Sequence, residues 1–86
     1  MPYIPKVDRE AFDAVVDQLP RFKSPGELNY LITRILIDYV RDKGGVSYTN
    51  CSEALGQLGC VHAEYYRRIL APYEDEKCAA NGDVFG

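Results

Sequence analysis

The sequence is short of basic residues and has no long hydrophobic run. Ten Lys and Arg stand against 13 Asp and Glu, which gives a formal net charge of −3. This balance argues against a general nucleic-acid binder, because phosphate contacts need a basic face. No apolar stretch approaches the roughly 20 residues of a membrane helix, and the N-terminus lacks the charged-then-apolar layout of a signal peptide. We therefore expect no association with a membrane.

Metal-ligating residues are also scarce. The three cysteines (Cys51, Cys60 and Cys78) form no CxxC pair, and the chain has one histidine. Neither a zinc site nor any other metal or cofactor site is predicted from so few ligands. Free thiols suit a reducing compartment, which favours the cytoplasm.

The length and composition are those of one small globular domain. Eighty-six residues, 47% of them hydrophobic, predict a single domain over residues 1–86. A domain of this size buries only about 60–65% of the surface of its unfolded chain, so its own core is thin. Residues 1–7 are expected to be extended because of Pro2 and Pro5, and residues 83–86 to form a tail.

Residues that commonly begin or end helices predict the first two helices. Asp8 is a plausible N-cap for a short helix that ends at Pro20, with one apolar stripe. The stripe consists of Phe12, Val15, Val16 and Leu19. The second helix begins with a serine cap at Ser24, a proline at the first position and Glu27 three residues after the cap. Gly44-Gly45 is expected to end it.

A third helix is predicted to run unbroken from about residue 51 to residue 70. Asn50, with Glu53 three residues later, is the expected cap, and Ser47 or Thr49 is the alternative. Its apolar stripe runs from Leu55 to Ile69. Pro72 is expected to end or kink this helix and to open a short fourth one that stops at Asn81-Gly82.

Together these patterns predict an all-α fold, a compact three-to-four-helix bundle that dimerisation completes. The second helix is apolar nearly all the way round, which is typical of a helix that is central or shared with another chain. We expect a homodimer or a higher oligomer, because one copy offers too little apolar surface to cover this helix. The predicted interface residues are Tyr30, Ile37 and Val40 of the second helix and the small residues Gly56 and Ala63 of the third.

Several segments resemble a family of short, uncharacterised microbial and phage proteins, defined only as a domain of unknown function. The segments are Pro2-Tyr3-Ile4-Pro5, Ser24-Pro25-Gly26-Glu27-Leu28-Asn29-Tyr30 with Ile32-Thr33, Tyr66-Arg67-Arg68, Pro72-Tyr73-Glu74-Asp75 with Lys77, and Asn81-Gly82-Asp83-Val84. The resemblance spans nearly the whole chain. It implies a compact helical fold and supplies no activity.

A cluster of charged and tyrosine residues is the candidate binding patch. It consists of Tyr66, Arg67, Arg68, Tyr73, Glu74, Asp75 and Lys77. Charge runs are usually solvated faces, which favours a salt-bridged corner between the third and fourth helices that contributes little energy where it is exposed. The alternative is a recognition surface for a protein partner, because arginine and tyrosine dominate binding hot spots.

No residue is predicted to be catalytic. His62 lies on the apolar face of the third helix with no nucleophile or carboxylate nominated beside it, so it is interpreted as a hydrogen-bonded core or interface histidine. A metal-dependent nucleotide pyrophosphohydrolase would need facing pairs of acidic residues, and the one ExxD pair, Glu10 and Asp13, is on the solvent side of its helix.

A helix-turn-helix DNA-binding protein is the other alternative. It requires a turn near Gly59, followed by Tyr65-Tyr66-Arg67-Arg68 on a recognition helix. The continuous apolar stripe from Leu55 to Ile69 favours one unbroken helix instead. The sequence does not name a function, and its best interpretation is a small helical interaction protein that self-associates.

Overall fold

The computed structural model describes all 86 residues, and its regular elements are all helical. The α-helices are α1 (Glu10–Asp17), α2 (Pro25–Asp42), α3 (Tyr48–Tyr65) and α4 (Ala71–Asn81). A 3₁₀ turn occupies Lys6–Asp8, and a π-helical turn, called the π-turn below, occupies Tyr66–Leu70. The predicted all-α class is confirmed.

The chain divides into an N-terminal unit, Pro2–Leu55, and a C-terminal unit, Gly56–Gly86. The N-terminal unit holds α1, α2 and the first part of α3. The C-terminal unit holds the rest of α3, the π-turn and α4. The single domain over residues 1–86 stays a prediction.

The start of α1 differs from the prediction. Asp8 is not its N-cap, because Asp8 lies in the 3₁₀ turn and donates its N–H to the Pro5 carbonyl at 2.9 Å. Proline restricts its own φ, here to −53°, and thereby favours this tight turn after the extended N-terminus. The extended segment ends at Pro5, and α1 begins at Glu10 without a side-chain cap.

The start of α2 is the predicted capping box. Ser24 Oγ accepts the N–H of Glu27 at 3.2 Å, and Glu27 Oε1 accepts the N–H of Lys23 at 3.1 Å. Pro25 occupies the first helical position, where its missing N–H costs nothing. The predicted cap at Ser24 is confirmed.

The turn between α2 and α3 contains Gly44 and Gly45, both with positive φ, +111° and +106°. Side chains other than glycine avoid this conformation, so the predicted stop of α2 is confirmed. Asn50 is not the cap of α3. Its amide Nδ2 donates to the Gly45 carbonyl at 2.9 Å, while Ser47 Oγ, the predicted alternative, accepts the N–H of Asn50 at 3.1 Å.

In the C-terminal unit, helix continues past both proline and glycine. The predicted unbroken third helix is confirmed through Gly59 and up to Tyr65, and the π-turn follows from Tyr66. Pro72 has no N–H to donate, and in an α-helix its ring would clash with the carbonyl of Arg68. The π-turn widens the backbone just before Pro72, with the N–H of Ala71 donating to the Tyr66 carbonyl, so the chain passes into α4 without a break.

The end of α4 matches the prediction. Asn81 is its last residue, and Gly82 follows with φ of +98°. Residues 83–86 form the non-helical tail. None of the helices combines the length and the hydropathy that a membrane span requires.

Little side-chain surface is buried within the chain. Ala54, at 4% exposure, is the only buried residue, and Phe12, Val15 and Val16 of α1 are all at least 60% exposed. The accessible surface is 7733 Å². Roughly 5,100 Å² is typical of a folded monomer of this mass. The chain therefore leaves far more surface in water than a self-contained domain does, and its exposed side chains include many large apolar ones.

We expect Ser24→Ala to lower the free energy of unfolding by about 1 kcal/mol, because the Glu27 N–H loses its acceptor. Urea denaturation followed by circular dichroism measures the change. Ser52→Ala, an exposed position on α3, is the control and should shift stability by less than about 0.5 kcal/mol. Equal midpoints for Ser24→Ala and the wild type would show that the cap contributes nothing.

Candidate interaction surfaces

An apolar groove of about 490 Å³ lies between α2 and the start of α3, within the N-terminal unit. We call it the α2–α3 groove. Its lining residues are Thr33, Leu36, Ile37, Val40, Arg41, Gly45, Val46, Cys51, Ala54 and Leu55. Because only Thr33 and Arg41 bring strongly polar groups to the lining, the groove suits an apolar surface rather than a charged ligand.

The predicted interface residues do not all lie in this groove. Ile37, at 45% exposure, and the half-buried Val40 line it. Gly56 and Ala63 belong to the C-terminal unit, and a Cβ built on Gly56 would meet no atom within 4 Å. The role of Gly56 and Ala63 in an interface stays a prediction.

Tyr30 lies in a different depression of the N-terminal unit, with a volume of about 460 Å³. Its neighbours there include Leu19, Phe22 and Leu31. The Tyr30 hydroxyl accepts a hydrogen bond from Arg34 Nη1 at 3.2 Å, and this bond raises the pKa of the Arg34 guanidinium. The predicted interface residues of α2 therefore lie in two separate depressions.

A third depression lies on the C-terminal unit and is rich in tyrosine. It has a volume of about 360 Å³, and we call it the tyrosine groove. Its lining residues are Val61, His62, Tyr65, Tyr66, Ile69, Leu70 and Tyr73. His62 is exposed in this groove, so the prediction of a core histidine is wrong and that of an interface histidine stays open.

The π-turn gathers these seven side chains onto one face. In an uninterrupted α-helix, at 100° per residue, they would span about 180° of the circumference. The π-turn accommodates about one extra residue per turn, which rotates the following residues back and narrows the span to about 120°. Leu70 and Tyr73 thereby share a face with Tyr65.

The residues of the candidate binding patch do not all lie in the tyrosine groove. Tyr66 and Tyr73 line the tyrosine groove, whereas Arg67, Arg68 and Asp75 do not. The remaining two residues, Glu74 and Lys77, contact the groove tyrosines: Glu74 Oε1 accepts the Tyr66 hydroxyl at 2.7 Å, and Lys77 Nζ lies 5.6 Å from the centre of the Tyr73 ring. The patch lies along a continuous helical segment rather than at a corner between two helices. Its role as a binding site stays a prediction.

The ion pair between Arg67 of the patch and Glu64 is partly exposed, with the glutamate side chain at 25% exposure. Arg67 Nη2 lies 2.6 Å from Glu64 Oε1, with the arginine side chain 64% exposed. Exposed pairs of this kind contribute at most about 1 kcal/mol. The Tyr66–Glu74 hydrogen bond raises the pKa of Tyr66, because the Glu74 carboxylate accepts the phenolic proton and its charge disfavours a phenolate.

The helix-turn-helix and hydrolase alternatives each require a specific structural feature. The turn that a helix-turn-helix protein needs near Gly59 is not formed, since Tyr48–Tyr65 is one α-helix. The hydrolase alternative needs facing acidic pairs, and no three side chains of Asp, Glu, His or Cys come together as metal ligands would. Neither alternative gains an observation in its favour.

Sequence reasoning missed two features of these surfaces. Val46 and Leu55 line the α2–α3 groove, but Val46 lies outside every predicted helix and Leu55 was assigned only to the apolar stripe of the third helix. The π-turn was missed as well. Pro72 inside a helical pattern was the available signal, since it predicts a local distortion without specifying its type.

The chain belongs to a family described as a domain of unknown function (DUF6899), which matches residues 1–84. The predicted membership in such a family is confirmed. No curated protein and no solved structure matches the chain.

We expect Glu74→Gln to lower the pKa of Tyr66 toward the ordinary tyrosine value of about 10, because the neutral amide no longer favours the protonated phenol. In the wild type, the raised pKa adds stability that is fully present below pH 10 and is lost as the pH rises through the folded-state pKa. An alkaline absorbance titration, with Tyr66→Phe to assign the signal, measures the shift.

Glu76→Gln is the matched control, because it makes the same substitution two residues from Glu74. It should leave the Tyr66 titration close to that of the wild type. Superimposable titrations for Glu74→Gln and the wild type would refute the hydrogen bond.

Proposed function

We propose that this protein is a small helical interaction protein that works as a homo-oligomer, with a second copy covering the α2–α3 groove. The observation that carries the proposal is the groove itself. It is an open apolar surface whose lining includes Ala54, the one buried residue of the chain. Val46, at its rim, is 91% exposed. An apolar surface of this kind marks an interaction site.

The accessible area supports a second copy as the occupant. The chain exposes 7733 Å². This exceeds the area expected for a folded monomer of its mass by roughly 2,600 Å². Obligate dimers bury about 2,000–5,000 Å² in total, or about 1,000–2,500 Å² per chain. A partner of the same sequence would remove a large share of the excess.

Symmetry gives the same partner a further advantage. Pairing about a two-fold axis buries the same groove on both chains, so each chain both supplies and receives the missing apolar contacts. A small domain with a thin core commonly gains its stability through such association. Ile37 and Val40, predicted as interface residues, are the central contacts of this proposal.

The proposal includes the cytoplasm as the compartment. Its support is that Cys51, Cys60 and Cys78 are all free thiols. Thiols persist where the surroundings are reducing.

Ile37→Glu is the test of the groove. A carboxylate at this position would lose its hydration against the apolar lining of a second copy, and pairing with Arg41 one turn along α2 offsets that cost only in part, so we expect it to separate the copies that meet there. Light scattering after size exclusion, at tens of micromolar protein, should give a wild-type mass that is a multiple of 9.7 kDa and a lower mass for Ile37→Glu.

Asp38→Lys is the control, because it changes the charge at the adjacent position, outside the groove. Asp38 lies 3.6 Å from the exposed Arg41 and also acts through its charge on the exposed Arg34. Exposed pairs of this kind contribute little, so the loss of Asp38 should leave the mass unchanged. A wild-type mass of 9.7 kDa, or no effect of Ile37→Glu on the mass, would contradict the proposal.

A further inference from the structure

We infer that helix α1 of the second copy is the element that occupies the α2–α3 groove, and that the two chains exchange their α1 helices across a two-fold axis. This inference rests on the proposed function, because it names the part of the partner that enters the groove proposed there. The apolar stripe of each α1 then faces Ile37 and Val40, which line the groove of the other copy.

Helix α1 has an apolar stripe that its own chain does not cover. Phe12 is 64% exposed, and Val15 and Val16 are each 60% exposed. The helix has eight residues and no side-chain cap, and it packs against no other α-helix of the chain. Isolated helices shorter than about 12–15 residues are marginal in water. Helix α1 therefore needs an apolar surface to lie against.

The α2–α3 groove matches α1 in shape and length. The lining residues that α2 contributes run from Thr33 to Arg41, which corresponds to about 12 Å along a helix. The eight residues of α1, Glu10–Asp17, also span about 12 Å. A convex helix fills a groove, whereas two grooves set face to face enclose a void, and voids in a packed interior are destabilising.

The chain's own α1 lies outside the groove. None of the residues Glu10–Asp17 belongs to its lining. Leu19 and Phe22, just after α1, line the separate depression over the first turns of α2, which reaches as far as Leu31. Because the groove begins beyond these turns, at Thr33, the connection holds the end of α1 near the other half of α2. The α1 of another copy can therefore enter the groove without displacing it.

The charges favour the same pairing. Helix α1 carries Glu10, Asp13 and Asp17 and no basic residue, for a net charge of −3. The lining of the groove has one charged residue, Arg41, whose side chain is 73% exposed and lies 3.6 Å from Asp38, outside the lining. An acidic helix thus meets a basic group at the rim of the groove, which guides the approach more than it stabilises the complex.

The exchange covers two exposed surfaces on each chain with one kind of contact. A two-fold axis makes the two contacts of a dimer identical, so each copy supplies a stripe and receives one. The groove and the stripe are present in equal numbers, and neither is left exposed in a dimer. An unrelated partner that fills the groove leaves the stripe of α1 in water, which favours a second copy as the occupant.

Disulfide trapping tests this contact with small substitutions. Cys51 is half-buried in the lining of the groove, and Cys60→Ser with Cys78→Ser leaves it as the only thiol. Val15→Cys then adds a second thiol on the apolar stripe. A disulfide forms only where the two Cα atoms come within about 4.4–6.8 Å. We expect mild oxidation to give a species of twice 9.7 kDa on a non-reducing gel, linked between position 15 and Cys51.

Ala14→Cys in the same background is the matched control. Ala14 is exposed on α1 next to Val15, but at about 100° per residue it lies about 150° from the centre of the stripe. Peptide mass spectrometry should find its link to Cys51 at least several-fold less often than the link from position 15. Equal linking of the two variants would show that the thiols meet by chance collision, and would overturn the inference.

The outcomes separate this inference from the proposed function. Adding Ile37→Glu to the Val15→Cys chain should abolish the link, because it separates the copies. No link in a protein that associates through Ile37 overturns the exchange of α1 and leaves the proposed function standing. A link between position 15 and Cys51 inside a single 9.7 kDa chain shows that α1 covers its own groove, which contradicts both proposals. A monomeric wild type also overturns both.

Discussion

Helices of ordinary length are stable in water mainly because they bury an apolar face. In this chain the helices bury little of their apolar surface against one another. Ala54 is buried where α3 meets α2, while the stripe of α1 and the tyrosines of the C-terminal unit remain exposed. Local interactions such as the Ser24 cap fix where helices begin and end, but each contributes only about 1 kcal/mol. The stability of the whole therefore depends on what covers the apolar faces.

Pro72 illustrates how a local backbone constraint shapes such a face. A proline inside a helix removes one hydrogen bond and crowds the preceding turn. Here the backbone responds with a π-turn rather than a break. The π-turn also affects the side chains. It changes the angle between successive residues around the helix axis, and this brings side chains from before and after the turn onto one face. The hydrogen bond from Tyr66 to Glu74, eight residues along the chain, spans the realigned segment.

The parts of the fold that could be predicted from the sequence are those with short-range causes. The Ser24–Glu27 capping box and the Gly44-Gly45 stop need only the residues beside them, and both are confirmed. Asp8 and Asn50 were predicted wrongly because each has a competing local partner. Asp8 is held in a turn that Pro5 initiates, and the Asn50 amide reaches the carbonyl of Gly45 instead of capping its own helix.

The interaction surfaces were harder to predict because they depend on where helices meet. Periodicity located Ile37 and Val40 on the apolar side of α2, but it did not show that Val46 and Leu55 complete their groove. It also placed Tyr30 on the same arc, although Tyr30 lies in a separate depression beside Arg34. A helical wheel describes one helix, whereas a groove is a property of two.

The two apolar grooves differ in what they require of a partner. The tyrosine groove runs along one helical segment, so it needs an element that follows that segment. The α2–α3 groove lies between two helices, so it needs an apolar element that fits between them. We propose a second copy for the α2–α3 groove because a two-fold axis covers it with the same residues on both sides. An unrelated partner would have to supply a matching apolar element from its own sequence.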